Sequence, residues 1–166
     1  MRTITSRTMW AVALGLLPLV AACDTASSPT SPSGTAPTAV LETLLERAIL
    51  DEYQAETIYQ GVIDDFGQVL PFVNVLTAEE RHSASVARLY ATRALPAPVN
   101  PYTVSGIAHF SSVQSACAAG VTAERANISL YDTLLAGDLP ADVRQVFTNN
   151  RAASLNNHLP AFLRCS

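Results

Sequence analysis

From Thr38 onward, Leu41, Leu45, Ala48, Glu52, Ala55, Tyr59, Val62 and Phe66 recur at alternating spacings of four and three. That rhythm keeps all eight side chains on one face of an α-helix, and a strand, with its period of two, cannot produce it. A helix running from about 38 to 66 with one such stripe needs partner helices to bury it against. Asp64-Asp65-Phe66-Gly67 and Pro71 close it, because Gly accepts the left-handed conformation of a helix end and Pro cannot continue the hydrogen-bond ladder.

The same spacing returns twice more. Phe72, Val75, Glu79, His82, Val86 and Leu89 form a second stripe, broken by Leu95-Pro96-Ala97-Pro98, and Val113, Cys117, Gly120, Glu124, Asn127, Tyr131 and Leu134 form a third, ending at Gly137. Asp138-Leu139-Pro140 opens a fourth helix that runs to about Leu163; its stripe is less regular and it contains Pro160. The segment from Pro96 to His109, rich in proline, reads as a loop whose roughly 14 residues could extend more than about 40 Å. Short turns between helices one and two and between three and four, with a longer second connection, describe an all-α four-helix bundle. A coiled coil of separate chains is the alternative for such stripes, but the short turns favour packing within one chain.

Three of the stripes carry a carboxylate at their middle, Glu52, Glu79 and Glu124, where apolar residues belong. Burying several carboxylates in one layer costs several kcal/mol per charge unless each is protonated or meets a cation. A metal ion supplies that cation. Two of the three histidines fall at the same level: His82, three residues after Glu79 on one helical face, and His158 on the last helix. Di-iron bundles take a Glu from each of two helices and a Glu-x-x-His from each of the other two. This chain offers Glu52, Glu79, His82, Glu124 and His158, with Leu155 standing where a sixth ligand would be.

Residues at one level of an antiparallel helix pair have a constant total of residue numbers. Glu124 with His158 and Cys117 with Cys165 share one total, so the alignment that joins the first pair also joins the second. In an oxidising compartment Cys117 and Cys165 should then form a disulfide. The other hairpin, taken from Glu52 to Glu79 and His82, centres on a turn near Gly67.

The surrounding polar residues have plainer readings. Glu56 and Glu80 lie off the central stripes and read as surface acids. Tyr59 and Tyr131 each lie one heptad, about 10.5 Å, from an expected ligand on their own helix and read as core. Asn127 reads either as a partner of the site or as a helix-interface amide, Tyr53 points about 100° away from Glu52, and His109 falls on the loop. Arg81 and Arg151 could neutralise nearby acids. No Ser-His-Asp or Cys-His arrangement is apparent, which leaves covalent catalysis without support.

Ahead of the bundle, Arg2 and Arg7 precede an apolar run from Met9 to Val20, and Cys23 follows Leu19-Val20-Ala21-Ala22. This is the layout of a secretory signal, and the run is shorter than the roughly 20 residues a membrane span needs. The string is similar to the lipobox of bacterial lipoproteins, which makes residues 1–22 a leader and Cys23 the acylated first residue; ordinary cleavage after Ala22 is the alternative. Residues 23–37 are then a flexible tether of Ser, Thr, Ala, Gly and Pro, and residues 38–166 the bundle. Loss of Arg2 and Arg7 takes the net charge from −4 to −6, with no lysine in the chain. Nucleic acid is a poor partner for such a surface. The expected partner is a lipid bilayer, reached through the acyl anchor from the non-cytoplasmic side of a membrane in the bacterial cell envelope.

Residues 41–163 resemble a ferritin-like family catalogued as a domain of unknown function of the 2202 type. The matching segments are Asp51-Glu52-Tyr53-Gln54-Ala55-Glu56-Thr57-Ile58-Tyr59, Asn74-Val75-Leu76-Thr77-Ala78-Glu79-Glu80-Arg81-His82, Ala123-Glu124 and Ala153-Ser154-Leu155-Asn156-Asn157-His158-Leu159-Pro160-Ala161-Phe162. The resemblance implies a ferritin-like bundle with a metal site at Glu52, Glu79, His82, Glu124 and His158, and implies no particular reaction. Carboxylate-rich ligand sets suit iron, as one ion or two, or manganese, while zinc competes by intrinsic affinity. The expected activity is redox chemistry linked to oxygen or peroxide; the rival is a non-catalytic lipoprotein that binds metal or a protein partner. Intact-mass analysis of the mature protein is expected to show acylation at Cys23, and an unmodified chain beginning there would refute the anchor.

Overall fold

The computed structural model describes residues 38–166; the leader, the tether and Cys23 lie outside them. The helices are α1 (Thr38–Phe66), α2 (Phe72–Ala91), α3 (Val113–Leu135), α4 (Ala141–Ala153) and α5 (Leu159–Leu163). A single π turn, Ser154–His158, joins α4 to α5 without a break, so the two form one long last helix. The described residues contain no strand, and the result is the expected all-α four-helix bundle with its longer second connection. None of the described helices is long and apolar enough to cross a membrane.

The local chemistry sets the ends. Gly67, at φ +82°, donates its N–H to Ile63 O and turns the chain out of α1, a conformation that costs other residues about 1 kcal/mol or more. Ser112 caps α3 by accepting from the Ser115 N–H, and the Ser115 hydroxyl accepts in return from the Ser112 N–H. The fourth helix starts at Ala141 rather than at Asp138, with Pro140 as its entry residue.

The long connection climbs along α1. Tyr53 donates to Pro98 O (3.3 Å), Asn100 donates to Thr57 Oγ1 (3.3 Å), and His109 Nδ1 lies 2.7 Å from Asp65 Oδ2, so successive loop residues meet successive turns of one helix. His109 is solvent-exposed as expected, but it is paired with Asp65.

The core is two apolar blocks. One gathers Leu41, Leu45, Ile49, Val86, Leu134 and Phe147 from the start of α1, the end of α2, the end of α3 and α4. The other gathers Tyr59, Val62, Phe72, Val75, Cys117 and Phe162 from the opposite ends. Leu45, Ile49 and Leu134 are fully enclosed, each contributing about 1.5–3 kcal/mol by burial. Cys117 and Cys165 form the expected disulfide, tying the end of the chain to the first turns of α3. Phe162 presses on α3 at Gly120, where a Cβ would meet the Phe162 ring at 2.7 Å.

Two substitutions probe this packing. Replacing both Cys117 and Cys165 by Ser is expected to lower unfolding free energy by about 4 kcal/mol in urea titrations, given the 48-residue separation. Gly120→Ala is expected to cost about 1–3 kcal/mol through overpacking against Phe162. A Gly120→Ala protein as stable as the wild type would show that Phe162 shifts freely.

Candidate metal centre

Between the two apolar blocks lies one polar layer. α1, α2 and α3 each bring the middle carboxylate of their stripe into it, and Glu52, Glu79 and Glu124 are at most 2% exposed. His82 enters from α2 and His158 from the π turn. His82 Nδ1 lies 2.7 Å from Glu79 Oε2 and 3.5 Å from Glu52 Oε2. His158 Nδ1 lies 3.0 Å from Glu79 Oε1 and 3.4 Å from Glu124 Oε2. The imidazoles stack with centroids 5.3 Å apart. Glu79 is therefore central, one oxygen toward each histidine, with Glu52 completing one half and Glu124 the other. All five residues singled out from the sequence meet in this layer.

The donor set suits a cation. One ligand atom from each of Glu79, His82 and His158 lies within 4.8 Å of the others, compatible with a metal site. Glu52 Oε2, Glu124 Oε2 and His158 Nδ1 are buried without a hydrogen-bond partner. Orphans of that kind cost about 1–3 kcal/mol each, more when charged, and three in one layer are what a shared cation would satisfy. Among the described residues, the cationic groups within 4.0 Å of these carboxylates are the two histidines alone. Arg151 pairs at the surface with Asp132 and Arg81 is exposed, so neither neutralises the layer.

Without metal the layer holds protons instead. Burial raises Glu52 to about 7, reinforced by the Glu79 charge. Burial alone would raise Glu79 as well, but the His158 and His82 imidazoles beside it bring it below its ordinary value. Desolvation works against charge on the histidines and is outweighed by their carboxylate neighbours: His82 rises to about 10 beside Glu52 and Glu79, and His158 to about 9 beside Glu124 and Glu79.

A ring of hydrogen bonds orients the carboxylates, and most of it was not visible from stripe positions. Tyr59 of α1 donates to Glu124 Oε1 (2.7 Å), while Tyr131 of α3 donates to Glu52 Oε1. The two contacts are reciprocal across the antiparallel α1/α3 pair. Measured along its own helix each tyrosine is far from a carboxylate of the layer; across the bundle each touches one. Burial pushes both phenols well above their usual pKa, so both stay protonated as donors. Asn150 donates to Tyr131 Oη (3.0 Å) and to Glu52 Oε1 (3.4 Å). Ser154 donates to Asn127 Oδ1, and Asn127 donates to Asp51 Oδ2, both at 2.8 Å. Asn127 is thus a buried link between α1, α3 and the π turn. Asp51, raised to about 6 chiefly by burial, is a further acid beside the layer.

Leu155 does not occupy a ligand position. It is 39% exposed, whereas Ser154 and Asn150 face inward. The cause is the π turn: the Leu159 N–H bonds Ser154 O, five residues back, just before Pro160, which has no N–H to give. One extra residue in that turn rotates Ser154 inward at the place where α-helical spacing puts Leu155. The register shows the same slip, since the α3 pairs Asn127/Ser154 and Tyr131/Asn150 total one less than Glu124/His158 and Cys117/Cys165.

Tyr53 points away from the site, as its place on the helix implies, and reaches the crossover loop. Glu80 is exposed as expected, but Glu56 is half-buried, with Oε1 sealed from solvent and its pKa raised mainly by desolvation.

Two openings reach the layer. An acidic one of about 190 Å³ between α1 and α3 is lined by Asp51, Gln54, Tyr59, Glu79, Glu124 and Asn127 among others. A wider one of about 570 Å³ lies between α2 and the last helix and reaches His158.

No protein-family model matches the sequence, and no curated protein matches it. Among solved structures, the chain is similar to hypothetical protein MJ0754 from Methanococcus jannaschii DSM 2661, with a TM-score of 0.68 and 20% identity over 79% of this chain and 82% of that one. At that identity the likeness shows a shared all-α architecture and says nothing of a reaction.

The proton loading predicts a pH profile for the chelated protein. Both histidines have folded-state pKa values above the ordinary 6.5, so their contribution is complete below that value and is lost as pH rises through about 9 and 10. Glu52, raised from 4.5 to about 7, acts in the same direction between those values. Glu79 is lowered and acts oppositely, its contribution lost as acid protonates it. The melting temperature in EDTA is therefore expected to peak near about pH 5 and fall toward alkaline pH. A melting temperature that climbs from pH 6 to 9 would contradict the cluster.

Proposed function

We propose that the chain is an exported, ferritin-like, metal-binding protein, held at a bacterial membrane through acylated Cys23, whose bundle carries an iron centre at Glu52, Glu79, His82, Glu124 and His158. The observation that carries the reading is the set of three orphaned buried atoms, Glu52 Oε2, Glu124 Oε2 and His158 Nδ1, arranged about Glu79. The two halves, Glu52 with His82 and Glu124 with His158, share Glu79, and together would hold two ions; a single ion is the smaller alternative. The oxygen-rich donors favour iron or manganese, with zinc a competitor by affinity. The disulfide is in keeping with export.

When bound, iron would supply one-electron chemistry toward oxygen or peroxide. The chain's own residues do the rest. Tyr131 and Tyr59 hold one oxygen of Glu52 and of Glu124, leaving the second oxygen of each free for a cation. The two apolar blocks keep bulk water from the layer on both sides. The histidines, protonated in the metal-free layer, give up their Nδ1 protons as a cation enters, so uptake is accompanied by proton release.

Metal analysis and titration test this. Protein purified without chelator is expected to hold about one to two equivalents of iron or manganese, and saturating metal should raise stability by roughly 2.7 kcal/mol at a hundredfold excess over Kd. His82→Ala and His158→Ala should each cut affinity at least about tenfold, while Glu80→Gln and His109→Ala should not. Oxygen uptake on adding iron(II) to the metal-free protein separates redox activity from plain metal binding, the non-catalytic rival. A wild type that binds no transition metal overturns the proposal.

A further inference from the structure

The wider opening has a definite chemistry. Past the π turn the last helix packs on α3, drawn there by the Phe162 contact at Gly120 and by the Cys117–Cys165 bridge. The start of α2 is left facing α5 across a cleft of about 570 Å³, within the range of small-molecule sites. Its walls are mostly apolar, with Pro71, Val75, Ala78, Ala153 and Ala161 among them. Among the described residues not one acid lines it; its charged residues are Arg164 and, at the inner end, His158. Arg164 is exposed and forms no ion pair with any described residue, which places its guanidinium to take a carboxylate in a two-point contact. The opening on the α1/α3 side has the opposite character, with Asp51, Glu79 and Glu124 in its lining.

We propose that this cleft binds a small organic molecule with an apolar body and one anionic group, the anion on Arg164 and the body running inward to His158. The assignment deepens the metal-centre reading, on which it rests for its meaning, because a molecule so placed ends against a residue of the polar layer. The two openings then divide by charge: cations approach from the acidic side and the organic anion from the arginine side.

An isosteric series tests the assignment: 4-phenylbutyrate, 4-phenylbutanol and 4-phenylbutylamine, titrated into the mature protein by calorimetry, with metal content measured on the same samples. The acid is expected to bind at least about tenfold tighter than the amine, with the alcohol between. Arg164→Gln, at an exposed position, should remove that preference and leave metal content unchanged. Ala161→Leu should weaken all three ligands by filling the cleft, and the His158 ring signals of the wild type should shift on adding the acid. Equal binding of acid and amine, or an unchanged preference in Arg164→Gln, overturns the proposal. The two readings fail separately: acid binding by a protein that takes up no metal removes the metal centre and leaves the cleft, while metal uptake without acid binding removes the cleft alone.

Discussion

Three carboxylates buried in one layer of a helical bundle are a debt that the rest of the molecule is arranged to meet. Glu52, Glu79 and Glu124 have two histidines, two tyrosines and Asn150 around them, and one oxygen of Glu52 and one of Glu124 still have no hydrogen-bond partner. Like charges at this spacing in a poorly polarisable interior repel strongly unless protons or a cation intervene. An all-apolar layer would make a more stable bundle of the same shape. The layer therefore lowers the stability of the bundle, and the flanking apolar blocks offset it.

The geometry that holds the layer is close to twofold. Tyr59 to Glu124 and Tyr131 to Glu52 exchange the same contact in opposite senses between α1 and α3. Each phenol is backed by phenylalanine, Tyr59 by Phe72 and Phe162, Tyr131 by Phe147. The symmetry breaks at the last helix, where Ser154 of the π turn and Asn150 of α4 stand in place of a further carboxylate, so that Glu79 has no counterpart.

The stripes were legible because a 3.6-residue period leaves a direct trace in the sequence, and the five residues that meet in the polar layer followed from polar residues interrupting those stripes. The disulfide was legible from register alone, since one alignment served two pairs. What was lost is instructive. Tyr59 and Tyr131 were placed by distance along their own helix, whereas their partners stand on the facing one. Leu155 was placed by α-helical spacing that the backbone abandons ahead of Pro160; the irregular fourth stripe, with Asn150 and Ser154 where apolar residues were due, was the available sign. Asp51 and Glu56 are off-stripe acids whose burial depends on how neighbouring elements close over them, which no single helix encodes.

The Cys117–Cys165 bond closes a covalent ring, and the donors are unevenly divided by it. Glu124 and His158 both lie on the ring, while Glu52, Glu79 and His82 lie on the α1/α2 hairpin outside it. Loss of packing between hairpin and ring would release Glu52, Glu79 and His82 at once, while Glu124 and His158 stay on one covalent ring, each seven residues from the bridge. The site is thus built as a tethered pair and a detachable triplet, so that reassembly after local opening is the docking of one hairpin onto a half that covalent chemistry keeps in reach.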